Sequence, residues 1–306
     1  MDGEMNVIVV GGANMDIGGR PANKPVPGDS NPGTVSLRPG GVGRNAAHDL
    51  RLLGLEVGLL TAVGEDDHGR RLLGQLEALG VDTSLSLRLA DERSSTYLYI
   101  TDERGEMQLA INDMDIVRRL SPAALEPRLP ALNAARAVLM EANLPPETLI
   151  FLARKVEVPL YADPVSAAKA NRLRGALRGL RAIKPNALEA EMLTGEHDPV
   201  RAVRALLSEG VERVFLSLGA QGLLAAEGET LLHLPCEPGP VLDVTGAGDA
   251  VMAALIWADL RGMSLYDSAR AALRAGAIVC RSPETNPEAL RRLGTMNPQY
   301  PVSHKT

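Results

Sequence analysis

The segment 243–250, with the sequence Asp-Val-Thr-Gly-Ala-Gly-Asp-Ala, contains residue types whose close spacing could support chemistry. The small residues 246–248 allow successive backbone N–H groups to converge on one point. The apolar run 250–260 predicts a helix whose positive end adds to their attraction for an anion. Asp249 falls in the first turn of that helix, where a carboxylate can accept a proton from a hydroxyl that attacks a phosphate. The segment therefore indicates phosphoryl transfer.

A simpler interpretation is that Asp249 only caps a helix, because glycine-rich turns that end in aspartate are common. The spacing matches neither the P-loop, whose Lys and Ser/Thr are missing, nor the dinucleotide fingerprint with its third glycine. A second glycine-rich turn, Pro39-Gly40-Gly41-Val42-Gly43, is followed by Arg44-Asn45-Ala46-Ala47 and by a further helical pattern. The chain thus contains two tight turns that each lead into a helix.

Together these turns resemble the two signatures of the PfkB, or ribokinase-like, family of sugar and nucleoside kinases, in the expected order. Between them, Lys184–Glu191 is similar to the family's N-x-x-E element, and 215–222 is similar to its strand and turn beside the nucleotide. The resemblance covers essentially the whole chain. It implies a ribokinase-like three-layer α/β/α core with a mainly parallel sheet and a small inserted β-sheet lid.

Within that family the finer resemblance is to the pseudouridine kinases, which favours phosphorylation of the 5′-hydroxyl of pseudouridine over that of ribose. Two alternatives remain: a kinase of another nucleoside or of ribose, and a non-catalytic nucleoside-binding protein that keeps the fold. The intact Asp249 and its turn argue against the second. The segments that carry the finer resemblance are 11–16, 30–33, 95–97, 105–107, 110–115, 163–167 and 284–287.

For the transfer itself, the resemblance implies that Asp249 is the base and that the backbone amides of Gly246, Ala247 and Gly248 hold the moving phosphoryl group. ATP and Mg²⁺ are the implied cofactors, with Asn186 and Glu189 organising the magnesium through water. The same pair could instead be only a helix start. The candidate nucleotide-binding residues are Asn186, Ser217, Gly219, Gly222, Thr245 and Asn286.

The family also places a monovalent cation, K⁺, near the second glycine turn. Asp243 and the segment 277–286 are the candidates for that site here. Asp243 is expected, with Thr245, to shape the turn as well.

For the acceptor, Asn14 and Asp16 follow the first strand, and open α/β sheets bind ligands at the carboxyl ends of their strands. Gly40 and Gly41 would contact the sugar by close backbone approach, and Asn45 through its amide. Asp16 could instead be only a turn former and Asn45 only a polar helix residue. The candidates for base recognition are Ser30, Asn31, Asp113 and Lys169, the last of which could also be an ordinary solvated lysine.

The composition is that of a chain able to bury a large core, with 306 residues, 45% hydrophobic and 23% charged. A net charge of −6 without long charged runs argues against a nucleic-acid polymer as partner. Cys236 and Cys280 lack the spacing of a disulfide framework or a zinc site, which fits a reducing cytosol. No export signal and no apolar stretch of about 20 residues is present. We expect a cytoplasmic protein with small-molecule substrates.

The order of elements predicts parallel strands joined by crossover helices, in one domain spanning 1–306. Strands are expected at 7–10, 56–63, 137–140, 158–162, 182–184 and 213–217, with a hairpin at 223–234. Helices are expected near 43–53, 67–79, 146–155, 248–261 and 266–280. The stretches 15–38 and 93–112 break this rhythm, and the resemblance implies that they form the lid over the sugar site. Exposed lid faces often pair across a dimer in such kinases, so we expect a homodimer through the lid.

Overall fold

The structure, a computed structural model, describes residues 6–295, in which strands and helices alternate. The strands are β1 (Val7–Val10), β2 (Asn14–Pro21), β3 (Gly33–Gly40), β4 (Val57–Leu60), β5 (Ala62–Gly64), β6 (Leu87–Leu89), β7 (Thr96–Thr101), β8 (Met107–Asp113), β9 (Ala137–Glu141), β10 (Leu160–Asp163), β11 (Ala182–Ile183), β12 (Arg213–Ser217), β13 (Leu223–Glu227) and β14 (Thr230–Leu234). The helices are α1 (Val42–Leu52), α2 (Asp67–Ala78), α3 (Pro122–Leu125), α4 (Leu129–Ala134), α5 (Pro146–Lys155), α6 (Ala167–Ala170), α7 (Ala187–Thr194), α8 (Pro199–Ser208), α9 (Ala247–Asp259), α10 (Leu265–Cys280) and α11 (Arg291–Gly294). Short 3-10 helices cover Asp115–Arg119, Glu126–Arg128, Asn171–Ala176, Gly219–Gln221 and Glu288–Leu290.

Eight strands form the main sheet, in the order β14-β13-β12-β11-β10-β9-β1-β4. The pairings from β12 to β4 are parallel, and β13 and β14 are added as an antiparallel hairpin at one edge. Parallel sheets need crossover helices on their faces, so their strands are buried on both sides. Accordingly, every residue of β1 is buried.

Alternate side chains of β1 belong to two separate apolar clusters, one on each face of the main sheet. Val7 and Val9 pack in one apolar cluster with α1, α9 and α10, whereas Ile8 and Val10 pack in another with α5, α7 and α8. Because successive side chains of a strand point to opposite faces, helices must cover both faces of the sheet. The predicted three-layer α/β/α core with a mainly parallel sheet is confirmed.

A smaller sheet of four strands, in the order β3-β2-β7-β8, contains the two stretches that broke the rhythm of the sequence. Its strands come from 14–40 and 96–113, so the chain leaves the main sheet twice to build it. We call this sheet the lid.

The predicted strand at 56–63 is wrong in one respect. The structure ends β4 at Leu60, and β5 leaves the main sheet to pair with β6 in a separate two-stranded sheet. An apolar run cannot by itself reveal such a change of partner, because both pieces are equally buried.

The register of the lid gives it one polar and one apolar face. Arg38, Asp16, Tyr97 and Asn112 are directly paired across its four strands, and directly paired residues share a face. The opposite face, which we call the outer lid face, consists of Ile17, Val35, Leu37, Leu98, Ile100, Leu109 and Ile111.

The carboxyl ends of β1, β9, β10 and β11 lie side by side at one edge of the main sheet. The candidate functional residues gather at this edge. Within 6–295, no helix combines the length and the apolar character needed to cross a membrane.

Candidate active site

The two glycine-rich turns meet at a single hydrogen bond. Gly246 precedes α9 in the left-handed conformation (φ 81°), which glycine adopts readily, and Asp249 lies in the first turn of the helix, where it is buried. From the start of α1, the side-chain Nδ2 of Asn45 donates to Asp249 Oδ2 at 2.9 Å. Two segments more than 200 residues apart in sequence thus form one site.

The electrostatics of Asp249 suit a proton acceptor. Burial raises the pKa of its carboxyl to about 7, and the nearby carboxylates of Asp163 and Glu141 act in the same direction. The hydrogen bond from Asn45 and the charge of Lys184 oppose this rise in pKa. A general base is most effective when its pKa lies near the working pH, and the raised pKa of Asp249 meets this condition.

Lys184 is a buried cation beneath the second glycine turn. Its Nζ lies 3.1 Å from Asp163 Oδ2, and also 3.1 Å from the position that a Cβ on Gly248 would occupy. Burial lowers the pKa of this lysine, but the carboxylates of Asp163, Glu189 and Asp249 together raise it above its ordinary value. The ammonium group therefore keeps its charge directly under the turn where an anion would bind.

Two acids at the carboxyl ends of neighbouring strands complete the buried polar cluster. Glu141 ends β9, and its two oxygens accept from the backbone N–H groups of Gly12 (2.6 Å) and Asn143 (2.8 Å). Burial raises the pKa of Glu141 to about 7. Asp163 ends β10 and accepts from the N–H of Val165, a non-glycine residue held at φ 67°. Such backbone strain is frequent at functional sites.

The acceptor candidates converge beside this cluster. Asn14 Nδ2 donates to Asp16 Oδ1 at 2.6 Å, and burial raises the pKa of Asp16. A Cβ on Gly40 would lie 2.1 Å from Asp16 Oδ2, and Gly41 has φ 100°. The lack of a side chain at Gly40 thus lets Asp16 lie against the backbone, and Asn45 follows on the same helix start; contact of Gly40, Gly41 and Asn45 with a sugar stays a prediction.

Lys169 is half-buried rather than freely solvated. Its Nζ donates to the side-chain oxygen of Asn143 at 2.5 Å, and burial lowers its pKa. Both residues line a cavity of about 620 Å³. The lid contributes Asn112 and Asp113 to the same cavity. Two of the four candidates for base recognition, Lys169 and Asp113, thus share one cavity.

The other two candidates for base recognition lie in the exposed turn between β2 and β3. Asn31 is occupied within that turn, since its Oδ1 accepts from the N–H of Val26 at 2.7 Å and its Nδ2 donates to backbone oxygens. Ser30 beside it is exposed. Neither residue is among those lining the cavity, and their role in base recognition stays a prediction.

The proposed magnesium pair forms a capping box at the start of α7. Asn186 Oδ1 accepts from the N–H of Glu189, and Glu189 Oε2 accepts from the N–H of Asn186, both at 2.9 Å. The capping alternative is therefore observed, although it leaves carboxylate lone pairs free to bind a water on a cation. Among residues 6–295, no cluster of three or more His, Cys, Asp or Glu side chains is arranged to hold a metal.

Most of the remaining nucleotide candidates surround the same edge of the sheet. The backbone N–H of Ser217 donates to the oxygen of Pro185, which precedes Asn186. Asp243 Oδ1 accepts from the N–H (2.9 Å) and the hydroxyl (2.7 Å) of Thr245, so this pair shapes the turn as expected. Gly219 begins a 3-10 turn and Gly222 follows it, and both glycines have positive φ.

Asn286 lies against α1. Both ends of its amide contact α1 rather than facing the glycine turn: the Nδ2 donates to Asp49 Oδ1 at 2.8 Å, and the Oδ1 accepts from Arg44. Its main contacts are therefore with a buried network, and a nucleotide contact stays a prediction.

Sequence reasoning did not assign roles to several residues of the site, namely Arg44, Glu141, Asn143, Asp163 and Lys184. Three of them, Glu141, Asp163 and Lys184, are charged residues at or just after the end of a buried parallel strand. That position is a usable signal, because ligands bind at the carboxyl ends of such strands. Arg44 and Asn143 carry no comparable signal.

Comparison with known sequences agrees with the geometry. The family profile of the pfkB family carbohydrate kinases matches residues 5–291. Pseudouridine kinase of Escherichia coli (strain K12) is 36% identical over 92% of each chain, and an uncharacterized sugar kinase of the same organism is 37% identical over 91% of this chain and 79% of the relative. Guanosine-inosine kinase of Exiguobacterium acetylicum is 27% identical over 94% of this chain and 99% of the relative.

Solved structures share the fold. A carbohydrate kinase from Agrobacterium tumefaciens superposes with a TM-score of 0.84 at 31% identity, over 95% of this chain and 97% of that one. Arabidopsis thaliana ribokinase complexed with ribose and ATP superposes with a TM-score of 0.85 at 23% identity, over 96% of this chain and 100% of that one. The ribokinase-like fold predicted from the motifs is confirmed.

Proposed function

This chain belongs to the pfkB family of carbohydrate kinases and is thus an ATP-dependent kinase of a sugar or nucleoside; we propose that its acceptor is pseudouridine. The reaction transfers the γ-phosphoryl group of ATP to the 5′-hydroxyl and gives pseudouridine 5′-phosphate and ADP. The observation that carries this choice of acceptor is the cavity lined by Lys169, Asn143 and the lid residue Asn112, which offers room for a base.

The polar face of the lid supports an acceptor that is longer than a sugar. The row of directly paired residues on this face begins at Arg38. The pKa of Asp243 in the second glycine turn is lowered mainly by hydrogen bonds from Thr245, and the charge of Arg38 adds to this effect. The row passes through Asp16 and Tyr97 and ends at Asn112, which lines the cavity. Three strand spacings of about 4.8 Å separate its ends, roughly 14 Å in all. A nucleoside can lie along this row with its 5′-hydroxyl at the phosphate end and its base at the cavity.

The chemistry of the cavity suits a uracil ring joined through carbon. Such a ring presents two N–H donors and two carbonyl acceptors, one donor more than uridine has. Lys169 supplies a donor for a carbonyl, and the carboxylate of Asp113 supplies an acceptor for an N–H. Discrimination against uridine then follows because a site built to pair with an N–H leaves a polar group unpaired when that N–H is missing.

At the other end of the row, Asp249 accepts the proton of the 5′-hydroxyl while the hydroxyl oxygen forms a bond to the γ-phosphorus. The bond from that phosphorus to the oxygen bridging the β- and γ-phosphates breaks, and ADP leaves. The amides of Gly246, Ala247 and Gly248, with Lys184 beneath them, stabilise the charge on the moving phosphoryl group. Asn186 and Glu189 would hold Mg²⁺ through water, where the cation neutralises the phosphates.

A monovalent cation site belongs to the same proposal. Asp243 lies next to the 277–286 segment, because the N–H of Leu242 donates to the oxygen of Cys280 at 2.8 Å. We expect K⁺ to raise turnover relative to an equal concentration of a bulky organic cation. Equal turnover in the two salts would remove the site from the proposal.

The outer lid face supports a homodimer. Its apolar side chains other than Ile17 are solvent-exposed, with Val35 at 71% and Leu109 at 57% of their surface accessible, and apolar patches of this kind mark interaction sites. A second copy of the lid would cover them symmetrically. We expect sedimentation to give a dimer and Leu98→Asp to give a monomer. A monomeric protein before substitution would remove the dimer from the proposal.

The free Cys236 and Cys280 are consistent with action in the cytoplasm.

The acceptor is tested by ADP formation from ATP and Mg²⁺ with pseudouridine, uridine, guanosine, adenosine and ribose in parallel, beside a control without acceptor. We expect a strong preference for pseudouridine. A preference for guanosine or ribose would keep the kinase and replace the acceptor. Binding of a nucleoside without ADP formation would favour the non-catalytic alternative.

The role of the cavity is tested by Lys169→Met, with Lys155→Met on the exposed part of α5 as the matched control. We expect kcat/KM for pseudouridine and for uridine to fall together at least tenfold in Lys169→Met, because both rings present the carbonyl and one lost hydrogen bond to a charged donor is worth about 1.5–3 kcal/mol. Lys155→Met should behave as the unsubstituted protein. An unchanged kcat/KM in Lys169→Met would place the base elsewhere.

A further inference from the structure

Arg44 is a buried cation at the start of α1 that none of the site chemistry above requires. Its guanidinium Nη1 donates to two amide oxygens, Asn45 Oδ1 at 3.1 Å and Asn286 Oδ1. The residue is only 5% exposed. A buried arginine is costly unless its surroundings use the charge, so these contacts call for an explanation.

The polarity of arginine fixes the direction of both amides. A guanidinium can only donate, so each asparagine must turn its oxygen toward Arg44 and its NH₂ group away from it. The NH₂ group of Asn45 then faces Asp249 Oδ2 at 2.9 Å, and that of Asn286 faces Asp49 Oδ1 at 2.8 Å. One arginine thereby aims two amide donors at two buried carboxylates.

The C-terminal segment ties this network to the second glycine turn. Asn286 reaches α1, while its neighbour Thr285 packs so closely on Gly246 that a Cβ there would lie 2.4 Å from Thr285 Cγ2. The Nδ2 of Asn286 also donates to the backbone oxygen of Asn45 at 3.4 Å. Arg44, together with Thr285 and Asn286, therefore helps to fix the position of the start of α1 relative to the start of α9.

The charges around Asp249 make its protonation state depend on the hydrogen bond from Asn45. Two acids, Glu141 and Asp163, face Asp249 from the main sheet, and α1 contributes Arg44 and Asp49. Lys184 approaches from the loop after β11, and Gly276 of α10 lies near the start of α9. Because acids outnumber cations here, the hydrogen bond from Asn45 matters for keeping Asp249 deprotonated.

We propose that Arg44 is a positioning residue that holds the Asn45 amide in the one orientation in which its NH₂ group donates to Asp249. This inference rests on the proposed function, because it takes Asp249 as the base. Without the guanidinium the amide can rotate by half a turn and present its oxygen to Asp249. Only a protonated carboxyl can pair with that oxygen, so the base loses its proton-accepting form at neutral pH.

The test is the pH dependence of kcat/KM in Arg44→Met and Arg44→Lys, with the preferred acceptor and saturating ATP. In Arg44→Met we expect the acid limb to move upward by about one pH unit, with a kcat near pH 7 lowered about fivefold and largely recovered at high pH. The KM for ATP should stay within about twofold of its original value. Arg44→Lys keeps a donor and should restore most of the original profile.

Arg51→Met provides the matched control, since it removes an arginine from the same helix on the side where it bonds the backbone of Leu79 and Leu55. We expect this variant to melt at a lower temperature with an unchanged acid limb. If Arg44→Met does not fold, Arg44→Gln, which can donate or accept, should show a smaller shift of the acid limb in the same direction.

Two outcomes separate the possible failures. An inactive Asp249→Asn together with a folded Arg44→Met whose acid limb is unshifted would overturn the role of Arg44 and keep the base. An active Asp249→Asn would overturn the assignment of the base, and with it the reason for positioning Asn45.

Discussion

Helix α9 carries an aspartate near each end, and the two have opposite environments. Asp249, in its first turn, receives one side-chain hydrogen bond from Asn45, and burial raises its pKa to about 7. Asp259, ten residues later, is bonded by Arg181 at 2.6 and 2.7 Å, by Arg213 at 2.9 Å and by the hydroxyl of Tyr161. Burial raises the pKa of Asp259, but the bonds from Arg181 and Tyr161 outweigh it, and the pKa is lowered.

The environment of Asp259 suits a residue that stabilises the fold, whereas that of Asp249 suits the proposed role in chemistry. A carboxylate saturated with cationic donors is stable as an anion and has little tendency to take up a proton. A buried carboxylate with few donors and acidic neighbours is held near the point where it gains or loses one. Such a perturbed group destabilises the fold slightly and marks a functional site.

The largest expected effect is on turnover in Asp249→Asn. Loss of a general base lowers a rate by about 10²–10⁴-fold, whereas acceptor affinity should be nearly unchanged because the amide keeps the shape of the carboxyl. The melting temperature should equal or exceed that of the original protein, since a poorly solvated charge is removed. Steady-state kinetics, acceptor titration and thermal unfolding measure these quantities. Persistent turnover would contradict the assignment of the base.

Asp259→Asn should show the reverse pattern. Breaking a largely buried ion pair leaves uncompensated charge on Arg181 and Arg213 and costs about 3–5 kcal/mol of unfolding free energy. Turnover measured well below the lowered melting temperature should match that of the original protein. Denaturant unfolding gives the first quantity and the ADP assay the second. A stable Asp259→Asn variant would mean that the two ends of α9 do not differ as described.

The pH dependence sharpens the comparison further. Because the base must be deprotonated, we expect kcat/KM to fall about tenfold per pH unit below about 7. The raised pKa of Asp249 means that the folded state binds its proton more tightly than the unfolded state does. Its contribution to stability is therefore present at low pH and is lost as pH rises through about 7. Asp259, with a lowered pKa, stabilises the fold at neutral pH and loses this effect as pH falls toward its folded pKa. A kcat/KM that stays flat down to pH 5 would contradict the raised pKa of the base.

A smaller effect on stability and on the Mg²⁺ requirement is expected at the start of α7, which carries a capping box and no glycine turn. Asn186→Ala should cost about 1 kcal/mol of stability through the lost cap and raise the Mg²⁺ concentration for half-maximal turnover severalfold. Ser264→Ala, which removes the cap of α10, is the control for the first effect alone. An unchanged Mg²⁺ requirement in Asn186→Ala would leave the pair with a capping role only.

Much of the fold was predictable because its signals are local. The glycine turns before α1 and α9 and the alternation of buried strands with amphipathic helices follow from short stretches of sequence. The hairpin of β7 and β8 was predicted for the same reason. The separate pairing of β5 with β6 was not, since the choice of a partner strand depends on residues elsewhere in the chain.

The candidate site was predictable in its turns and less so in its buried charges. Asp249 and Asn45 each stand in a motif that can be read from the sequence. Lys184 lies within a quoted motif, yet only its distances to Asp163 and to Gly248 show that it underlies the turn. Asn186 and Glu189 were expected to organise magnesium, with a helix start as a compatible simpler role. The structure shows the helix start, and the magnesium role stays a prediction.

The sequence alone determined the family, the type of reaction and the order of elements, because these depend on the spacing of a few residues along the chain. Only the tertiary structure decided which polar groups are neighbours. Asn45 and Asp249 are 204 positions apart, and Arg44 and Asn286 are 242 positions apart. The pKa of a carboxyl depends on burial and on charges within a few ångströms. The distinction between Asp249 as a candidate base and Asp259 as an ion-paired anion therefore arises only when the chain folds.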